Sequence, residues 1–235
     1  MTILCIETST AVCSAAICQD GQLVKQFINR EGSNHARLLP TYVEQLLAEA
    51  RAQGLTIDAV ALSEGPGSYT GLRIGASMAK GLCYGMNIPL IPVPTLEVIC
   101  EAAKGSTEYR VQNTDRLCPM IDARRMEVYT TDEEGKARAV VVENEDSLYS
   151  GDEEVYYFGD GAAKCAKVFT KPNWHFVPGI VPEARFLGLT VGSLSVDRRW
   201  NKLEGTELRG TELAYYEPYY LKEFIAAQSH VKGLL

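Results

Sequence analysis

The chain has 235 residues, of which 46% are hydrophobic and 23% are charged, and its formal net charge is -7. This balance is typical of an ordinary globular protein, and the length suffices for one large domain or two small lobes with a core of normal size. The acidic balance excludes tight nucleic-acid binding by the chain alone, because an acidic surface repels phosphate backbones.

The cysteines and the N-terminus indicate the cellular compartment. The seven cysteines are odd in number, include no C-x-x-C pair and mostly lie in apolar runs. We therefore expect small buried hydrophobes in a reducing environment. The N-terminus lacks the basic start and long apolar core of a signal peptide. No apolar run approaches the ~18 residues of a membrane span, so we expect a cytoplasmic protein without membrane segments.

The first half of the chain has the periodicity of alternating strands and helices. In chain order it predicts strands over 3–6, 12–18 and 23–28, a helix over 35–53, a strand over 58–63, a helix over 71–86, a strand over 89–93 and a helix from 96 to 103. Asp20-Gly21 supplies the hairpin turn between the second and third strands. The first strand is continuously apolar up to Glu7, which is typical of a buried central strand.

The opening pattern returns after residues 105–115, a polar stretch without periodicity that we take as a lobe boundary. Strands are predicted over 117–121, 126–131, 137–143 and 155–158, and helices over 161–169 and 183–195. The repeat predicts an α/β protein with two lobes of duplicated ribonuclease-H-like fold, as in the actin and sugar-kinase superfamily. The lobes are assigned to 1–105 and 106–206, and a predicted C-terminal helix over 207–235 can complete the first lobe.

A glycine-rich loop over residues 65–71 joins a predicted strand to a predicted helix, where phosphates are often held. It fails the specific tests for a phosphate loop. Leu72 stands where a P-loop has lysine, Gly71 is one position late for a dinucleotide loop, and Pro66 has no N–H to donate. The alternative is a tight turn that lets the following helix pack closely.

The helix over 71–86 carries a row of small residues, namely Gly71, Gly75, Ser77, Ala79 and Gly81. Gly75 and Gly81 together cost roughly 2 kcal/mol relative to alanine in a helix. Close approach of another backbone would offset that cost, either from a strand of the same lobe or from a helix of a second chain. Ile74 and Met78 would supply an apolar face for such a partner.

The helix over 35–53 begins at His35, and Leu39 rather than a second histidine follows at i+4. A two-histidine metal pair is therefore absent from this helix, and we expect no metal site. Leu38, Tyr42 and Gln45 form a face beside its core stripe. No G-x-S-x-G motif is present, so a hydrolase triad has no support, and a peptidase role is not favoured.

Two carboxylates end the first strand of each half, Glu7 and Asp122. Facing each other across an inter-lobe cleft, they could hold Mg²⁺ and nucleotide phosphates, together with the turn Gly159-Asp160-Gly161. An ATP-dependent kinase of a small metabolite is therefore the alternative function. The structural alternative is that Asp122 pairs with Arg124 or Arg125 while Glu7 caps a turn.

Several blocks together resemble one family. They are Ile6-Glu7-Thr8-Ser9, Asn34-His35-Ala36-Arg37-Leu38-Leu39-Pro40, Gly65-Pro66-Gly67-Ser68-Tyr69-Thr70-Gly71-Leu72-Arg73-Ile74-Gly75, Ala79-Lys80-Gly81-Leu82, Ile121-Asp122-Ala123-Arg124-Arg125 with Glu127-Val128-Tyr129, and Pro218-Tyr219-Tyr220-Leu221-Lys222. The chain resembles the TsaB family, the bacterial dimerisation subunits of the threonylcarbamoyl-adenosine tRNA modification machinery. The resemblance runs along nearly the whole chain, and the long glycine-containing block is its most specific part.

The resemblance implies a non-catalytic subunit that forms a heterodimer with TsaD, a larger homologue, and that works with the ATPase TsaE. Metal and ATP are then expected on the partner subunits, with no cofactor on this chain. Contact with tRNA is expected only through the complex, and a homodimer when the chain is alone. The implied heterodimer surface lies on helices 35–47 and 71–83. Its residues are His35, Leu38, Leu39, Tyr42, Leu46, Gly71, Arg73, Ile74, Gly75, Ser77, Met78 and Gly81.

The chain departs from the family pattern at three places, one of which is Arg125-Met126, where a small residue before Glu127 is common. Glu7 stands where the family usually has aspartate, which weakens any nucleotide role for this position. Residues 144–200 show little match, so the resemblance leaves the shape of the second lobe open.

Overall fold

The computed structural model describes residues 1–32, 34–106, 115–196 and 207–222. The strands of the first lobe are β1 (Thr2–Glu7), β2 (Cys13–Gln19), β3 (Gln22–Asn29), β4 (Ala59–Gly65) and β5 (Leu90–Pro94). Its helices are α1 (His35–Ala52), α2 (Tyr69–Met86) and α3 (Thr95–Lys104). Their order is the one predicted from the sequence.

These five strands form one sheet in the order β3-β2-β1-β4-β5. Strands β1, β2 and β3 pair antiparallel, whereas β4 and β5 join in parallel. Leu4 on the central strand β1 lies opposite Ile17 on one side and Val60 on the other. A three-strand meander followed by parallel strands with helical crossovers is the predicted ribonuclease-H-like arrangement, and the fold class is confirmed.

Helices cover both faces of this sheet. On one face, α1 and α2 bury Leu39, Leu46 and Ala79 against the strands. On the other face lie α3 and a further helix, α5 (Ala184–Val196), which contributes Leu187 and Val191 to the core. The sequence assigned α5 to the second lobe, and this assignment is wrong. Helix α5 packs on the first lobe because its apolar residues cover the second face of the first sheet.

The second lobe has the same strand order as the first. Its strands are β6 (Arg116–Pro119), β7 (Ile121–Asp122), β8 (Glu127–Thr131), β9 (Ala137–Val141), β10 (Val155–Phe158) and β11 (Trp174–Val177). They form two three-stranded sheets, in the orders β11-β10-β6 and β7-β8-β9, and only Met120 separates β6 from β7 along the chain. When β6 and β7 are counted as one strand, the order matches that of the first lobe. Antiparallel β8 and β9 follow β7 on one side, and parallel β10 and β11 follow β6 on the other. The duplication predicted from the sequence is therefore present.

Helix α3 lies between the two lobes. Val98 and Ala102 pack on the first sheet, whereas Leu96 and Ile99 pack with Phe158 of the second lobe. The helix thereby fixes the second lobe beside the carboxyl end of β1. The predicted boundary between the lobes lies mostly outside the described residues, which leave out 107–114.

The C-terminal part differs from its prediction. Leu208 pairs with Leu90 at the edge of the first sheet, and the short helix α6 (Gly210–Tyr215) inserts Leu213 into the first core. Residues 216–222 are not helical, because Pro218 disfavours helix at the residue before it and cannot donate a helical hydrogen bond. The remainder of the predicted helix, 223–235, lies outside the described residues.

One short helix completes the description of the second lobe. Helix α4 (Ala162–Cys165) is one turn long, whereas the sequence predicted a helix up to residue 169. Within the described part of the chain, no helix has both the length and the apolar character needed to cross a membrane.

Candidate functional site

Helix α2 presents two different faces. Ser68 caps its first turn by accepting a hydrogen bond from the Gly71 amide at 3.3 Å, and Asn87 ends it in a left-handed conformation. The inner face is buried against strands β1 and β4. The outer face exposes Arg73, Ser77 and Gly81 to solvent.

The inner glycines of α2 pack on the chain just past β1. The hydroxyl of Thr8 donates a hydrogen bond to the Gly71 carbonyl at 2.8 Å. A Cβ built on Gly71 would overlap the Thr8 carbonyl oxygen, and one built on Gly75 would overlap the Thr8 hydroxyl and approach Leu62 to 3.0 Å. Internal packing therefore explains these two glycines, and their assignment as direct partner contacts is wrong.

The outer residues of α2 face a groove with a volume of about 760 Å³ that lies between α2 and α1. Of the residues predicted to bind a partner, the groove is lined by Arg73, Ile74, Ser77, Met78 and Gly81. Apart from the adjoining residues and the backbone of the helix itself, no atom of the described chain lies within 4 Å of a Cβ built on Gly81. Its cost in helix propensity is therefore not offset within the described chain, unlike that of Gly75.

Two α1 residues predicted to bind a partner are core residues. Leu39 and Leu46 are both 0% exposed. They lie on the stripe of α1 that faces the sheet, so they cannot contact a partner directly, and this part of the prediction is wrong. The helical spacing of the sequence places both residues on the core stripe, and their assignment to the interface comes from the family resemblance.

The remaining α1 residues face away from the groove. Tyr42 stacks on Phe27 of edge strand β3, with ring centroids 5.5 Å apart, and Leu38 is half-buried against the same core. The His35 imidazole lies within hydrogen-bond distance of the Thr10 and Val12 carbonyl oxygens, at 3.0 and 3.2 Å. Neither Leu38, Tyr42 nor His35 lines the groove.

Sequence reasoning missed the groove wall contributed by α1, which consists of Ala36 and Pro40. It also missed Tyr84, which lies beyond Gly81 on α2 and is 87% exposed. A signal was available, because Pro40 inside a helix and a tyrosine outside the apolar stripe are both typical of a solvent-exposed helix face. The complete candidate surface, called the α1/α2 face here, is Ala36, Pro40, Arg73, Ile74, Ser77, Met78, Gly81, Leu82 and Tyr84.

A second concavity, of about 770 Å³, separates the lobes. The first lobe contributes Thr10 and the start of α2, and the second contributes Asp122 and Asp160. The Asp122 amide donates to the Asp160 carboxylate at 3.0 Å, and burial raises the pKa of Asp160. The Asp122 carboxylate forms an ion pair with Lys164 and accepts a hydrogen bond from the Arg124 amide at 3.0 Å, so the suggested ion pair with an arginine side chain is replaced by one with lysine.

Glu7 does not face this cleft. Its side chain is 0% exposed and accepts hydrogen bonds from the Ser9 amide at 2.6 Å, the Ser9 hydroxyl at 2.5 Å and the Ser63 hydroxyl. Burial raises its pKa, and these hydrogen bonds oppose the rise. Because Glu7 is enclosed and does not line the cleft that Asp122 lines, the predicted arrangement of the two carboxylates facing each other across it is wrong.

The two glycine turns next to the cleft are packing devices. A Cβ on Gly159 would overlap the Met120 carbonyl, and one on Gly161 would come within 2.9 Å of the Ile121 carbonyl carbon. In the loop before α2, a Cβ on Gly67 would overlap the Ser9 carbonyl, and the Ser68 amide donates to that carbonyl at 2.6 Å. The tight-turn alternative therefore accounts for the glycines of the loop before α2, and close packing likewise accounts for Gly159 and Gly161.

Metal-binding geometry is absent from the described residues, where no cluster of three or more histidine, cysteine, aspartate or glutamate side chains could hold an ion. All seven cysteines are free, and six are buried. The α1/α2 face combines an open groove with the exposed Tyr84 side chain, and we take it as the candidate partner surface of the described chain.

Comparison with known proteins gives one family and several relatives. The model of the family "TsaD: tRNA N6-adenosine threonylcarbamoyltransferase" matches residues 26–153. A Haemophilus influenzae protein named "tRNA threonylcarbamoyladenosine biosynthesis protein TsaB" is 35% identical over 131 residues, which are 55% of this chain and 52% of that protein. The Escherichia coli protein of the same name is 37% identical over 129 residues, which are 55% and 53% of the two chains. The chain thus spans about half the length of the curated relatives it matches.

A solved structure extends the similarity to both lobes. The structure of "YeaZ from Pseudomonas aeruginosa" superimposes with a TM-score of 0.68 at 27% sequence identity. The superposition covers 94% of this chain and 99% of that one. The two-lobe architecture is therefore shared along almost the whole length.

Proposed function

We propose a function from one premise: the chain belongs to the TsaD family, tRNA N6-adenosine threonylcarbamoyltransferase, whose model matches more than half of it. The chain acts as the accessory subunit that binds a TsaD-type catalytic subunit during biosynthesis of threonylcarbamoyladenosine in tRNA. The relatives named TsaB as biosynthesis proteins support this assignment.

One observation carries the proposal, namely the exposure of the α1/α2 face. The groove is lined by Ile74 and Met78, its outer edge is flattened by Ser77 and Gly81, and Tyr84 projects from the same helix. Small residues let a second helix approach closely, and tyrosine is among the residues enriched where binding energy concentrates. A helical face of the homologous TsaD-type subunit is the occupant that this shape fits.

An accessory role also follows from the chemistry of the cleft. Glu7 is enclosed by serine donors and Asp122 is paired with Lys164. Asp122 still lines the cleft and its side chain is 48% exposed, but Glu7 does not line it, and the relatives carry TsaB names, so the kinase alternative is not better supported. We place ATP, metal and the contacts with tRNA on the partner subunits, TsaD and TsaE.

Reconstitution with the purified TsaD-type and TsaE-type subunits of the same organism tests the proposal. The readout is threonylcarbamoyl transfer to tRNA. We expect no transfer by the chain alone, and transfer by the mixture that depends on adding the chain. An equal transfer rate without the chain, or transfer by the chain alone, would contradict the accessory role.

Without its partner, we propose that the chain forms a homodimer through the same α1/α2 face, because exposed apolar surface favours association. Light scattering on the isolated chain measures this. The expected result is a dimer that becomes monomeric when Ser77→Arg places a charged side chain on the face. If the Ser77→Arg chain is still a dimer, the dimer interface lies on another surface.

A further inference from the structure

Residues 216–222, called the strap here, cross from the first lobe to the second. The Tyr219 amide donates to the Glu64 carbonyl at 2.7 Å, which ties the strap to the end of β4. Gly65 has a φ of +122° and leaves no room for a side chain, because a Cβ there would lie 3.2 Å from the Tyr219 carbonyl carbon and closer still to its oxygen. The strap is therefore seated on the first lobe by backbone contacts.

A row of rings connects the strap to the partner face. The Arg73 guanidinium lies 4.8 Å from the centre of the Tyr69 ring, and the Tyr69 ring lies 5.0 Å from that of Tyr220. Arg73 lines the groove of the α1/α2 face. A partner group that binds the Arg73 guanidinium would therefore change the contact between Arg73 and Tyr69, which is the first contact of the row.

The far end of the strap reaches the second lobe. The Lys222 ammonium forms an ion pair with Glu127, at the start of β8. The Glu127 side chain is 20% exposed and the Lys222 side chain 46% exposed, so the pair lies at the surface and is open to screening by salt. Lys222 also lines the inter-lobe cleft together with Tyr220.

The groove and the cleft share a wall. Tyr69, Thr70 and Ile74, in the first two turns of α2, line both cavities. A ligand in the groove would therefore contact side chains that also set the width of the cleft.

We propose that the strap couples occupancy of the α1/α2 face to the angle between the lobes, through the contacts Arg73–Tyr69–Tyr220 and Lys222–Glu127. This inference rests on the proposed function, because it takes the TsaD-type subunit as the occupant. A partner shifts a conformational equilibrium only by binding its states with different affinity. Arg73 supplies this difference in affinity between the two states, since its guanidinium stacks on Tyr69 in one state and binds the partner in the other.

The test measures the distance between the lobes by pulsed electron paramagnetic resonance. Spin labels are attached at Gln22→Cys in the first lobe and Glu133→Cys in the second, both exposed and distant from the α1/α2 face in sequence. Labelling of the chain without these substitutions corrects for native cysteines. Distances are recorded with and without the TsaD-type subunit, and its affinity is titrated in the same samples.

Three further variants carry the test. Lys222→Met removes the cross-lobe ion pair, and Tyr220→Ala removes the ring contact. Lys136→Met is the matched control, because Lys136 pairs with Glu134 within one hairpin of the second lobe. In the parent and in Lys136→Met, we expect the partner to shift the distance distribution. In Lys222→Met and Tyr220→Ala, we expect a broader distribution that no longer responds, although the partner still binds.

The outcomes separate this inference from the proposed function. A partner that binds the parent without shifting the distances overturns the coupling and leaves the accessory role intact. A shift of the same size in Lys222→Met and Tyr220→Ala overturns the role of the strap. A partner that fails to bind the parent overturns the proposed function and the coupling with it.

Discussion

Gly75 of helix α2 lies directly against Thr8, with no space for a side chain between the helix and the end of β1. Gly81, further along the same helix, faces open space. The two glycines have the same intrinsic cost in a helix, but only Gly75 is required by the packing of the chain itself.

Replacing each of these glycines with alanine should therefore change stability in opposite directions. Gly75→Ala should lower the free energy of unfolding by about 1–3 kcal/mol, because the added methyl overlaps Thr8 and forces a backbone shift. Gly81→Ala should raise it by about 0.5–1 kcal/mol through better helix propensity. Urea unfolding measures both, and equal effects would contradict the two-faced description of α2.

Because Leu46 is buried, replacing it should change the stability of the chain rather than its affinity for a partner. Leu46→Ala should lower the free energy of unfolding by about 2–5 kcal/mol, because it leaves a cavity between α1 and the sheet. Leu23→Ala is the matched control, since Leu23 is 47% exposed, and should cost about 0.5 kcal/mol or less. A Leu46→Ala chain that unfolds like the parent would place α1 differently from the structure.

Glu7 predicts a pH dependence of stability. Burial raises the pKa of Glu7 above its ordinary value of 4.5, so the folded chain holds the proton more tightly than the unfolded chain. The stability contributed by protonated Glu7 is fully present below about pH 4.5 and is lost as the pH rises through the raised pKa. Glutamine does not titrate, so the Glu7→Gln chain does not lose this stability as the pH rises.

The free energy of unfolding of the parent minus that of Glu7→Gln should therefore fall as the pH rises from about 4.5. The fall should not exceed about 1.4 kcal/mol per pH unit. Urea titrations of both chains from pH 4 to pH 8 measure the difference, in which the other titrating groups largely cancel. A difference that stays constant or grows with pH would show that Glu7 titrates at or below its ordinary pKa.

The cleft predicts a negative result with nucleotide. Calorimetry of the isolated chain with MgATP should detect no binding at sub-millimolar concentration, because Glu7 is enclosed and Asp122 is neutralised by Lys164. Sub-millimolar binding that disappears in Asp122→Ala would revive the kinase alternative.

The sequence was sufficient for the first lobe because its strands are buried and its helices have one apolar stripe each. On α1, the resemblance implied contact residues on the whole first part of the helix, including residues of this buried stripe. Leu39 and Leu46 recur with helical spacing because they face the sheet, and spacing alone does not distinguish a core from an interface. On α2, the small outer residues Ser77 and Gly81 were identified correctly as exposed, whereas Gly75 could be separated from them only by its contact with Thr8.

Long-range packing decided the features that the sequence did not predict. Helix α5 packs on the first lobe although it follows the second, with the Ala184 amide bound to the Ser14 hydroxyl at 2.9 Å. Glu7 appeared suited to a cleft because it ends the central strand, yet Ser63 of the neighbouring strand β4 closes over its carboxylate. Contacts across more than 50 residues leave no local periodic signal.

The most direct test of the account is a titration of the TsaD-type subunit against the parent chain, Ser77→Arg and the matched control Ser150→Arg. Ser77 lies on the α1/α2 face and Ser150 is exposed on the second lobe. The account predicts that Ser77→Arg weakens binding by about tenfold or more, roughly 1.4 kcal/mol, while Ser150→Arg binds like the parent. Equal affinity of the parent and of a folded Ser77→Arg chain would contradict it.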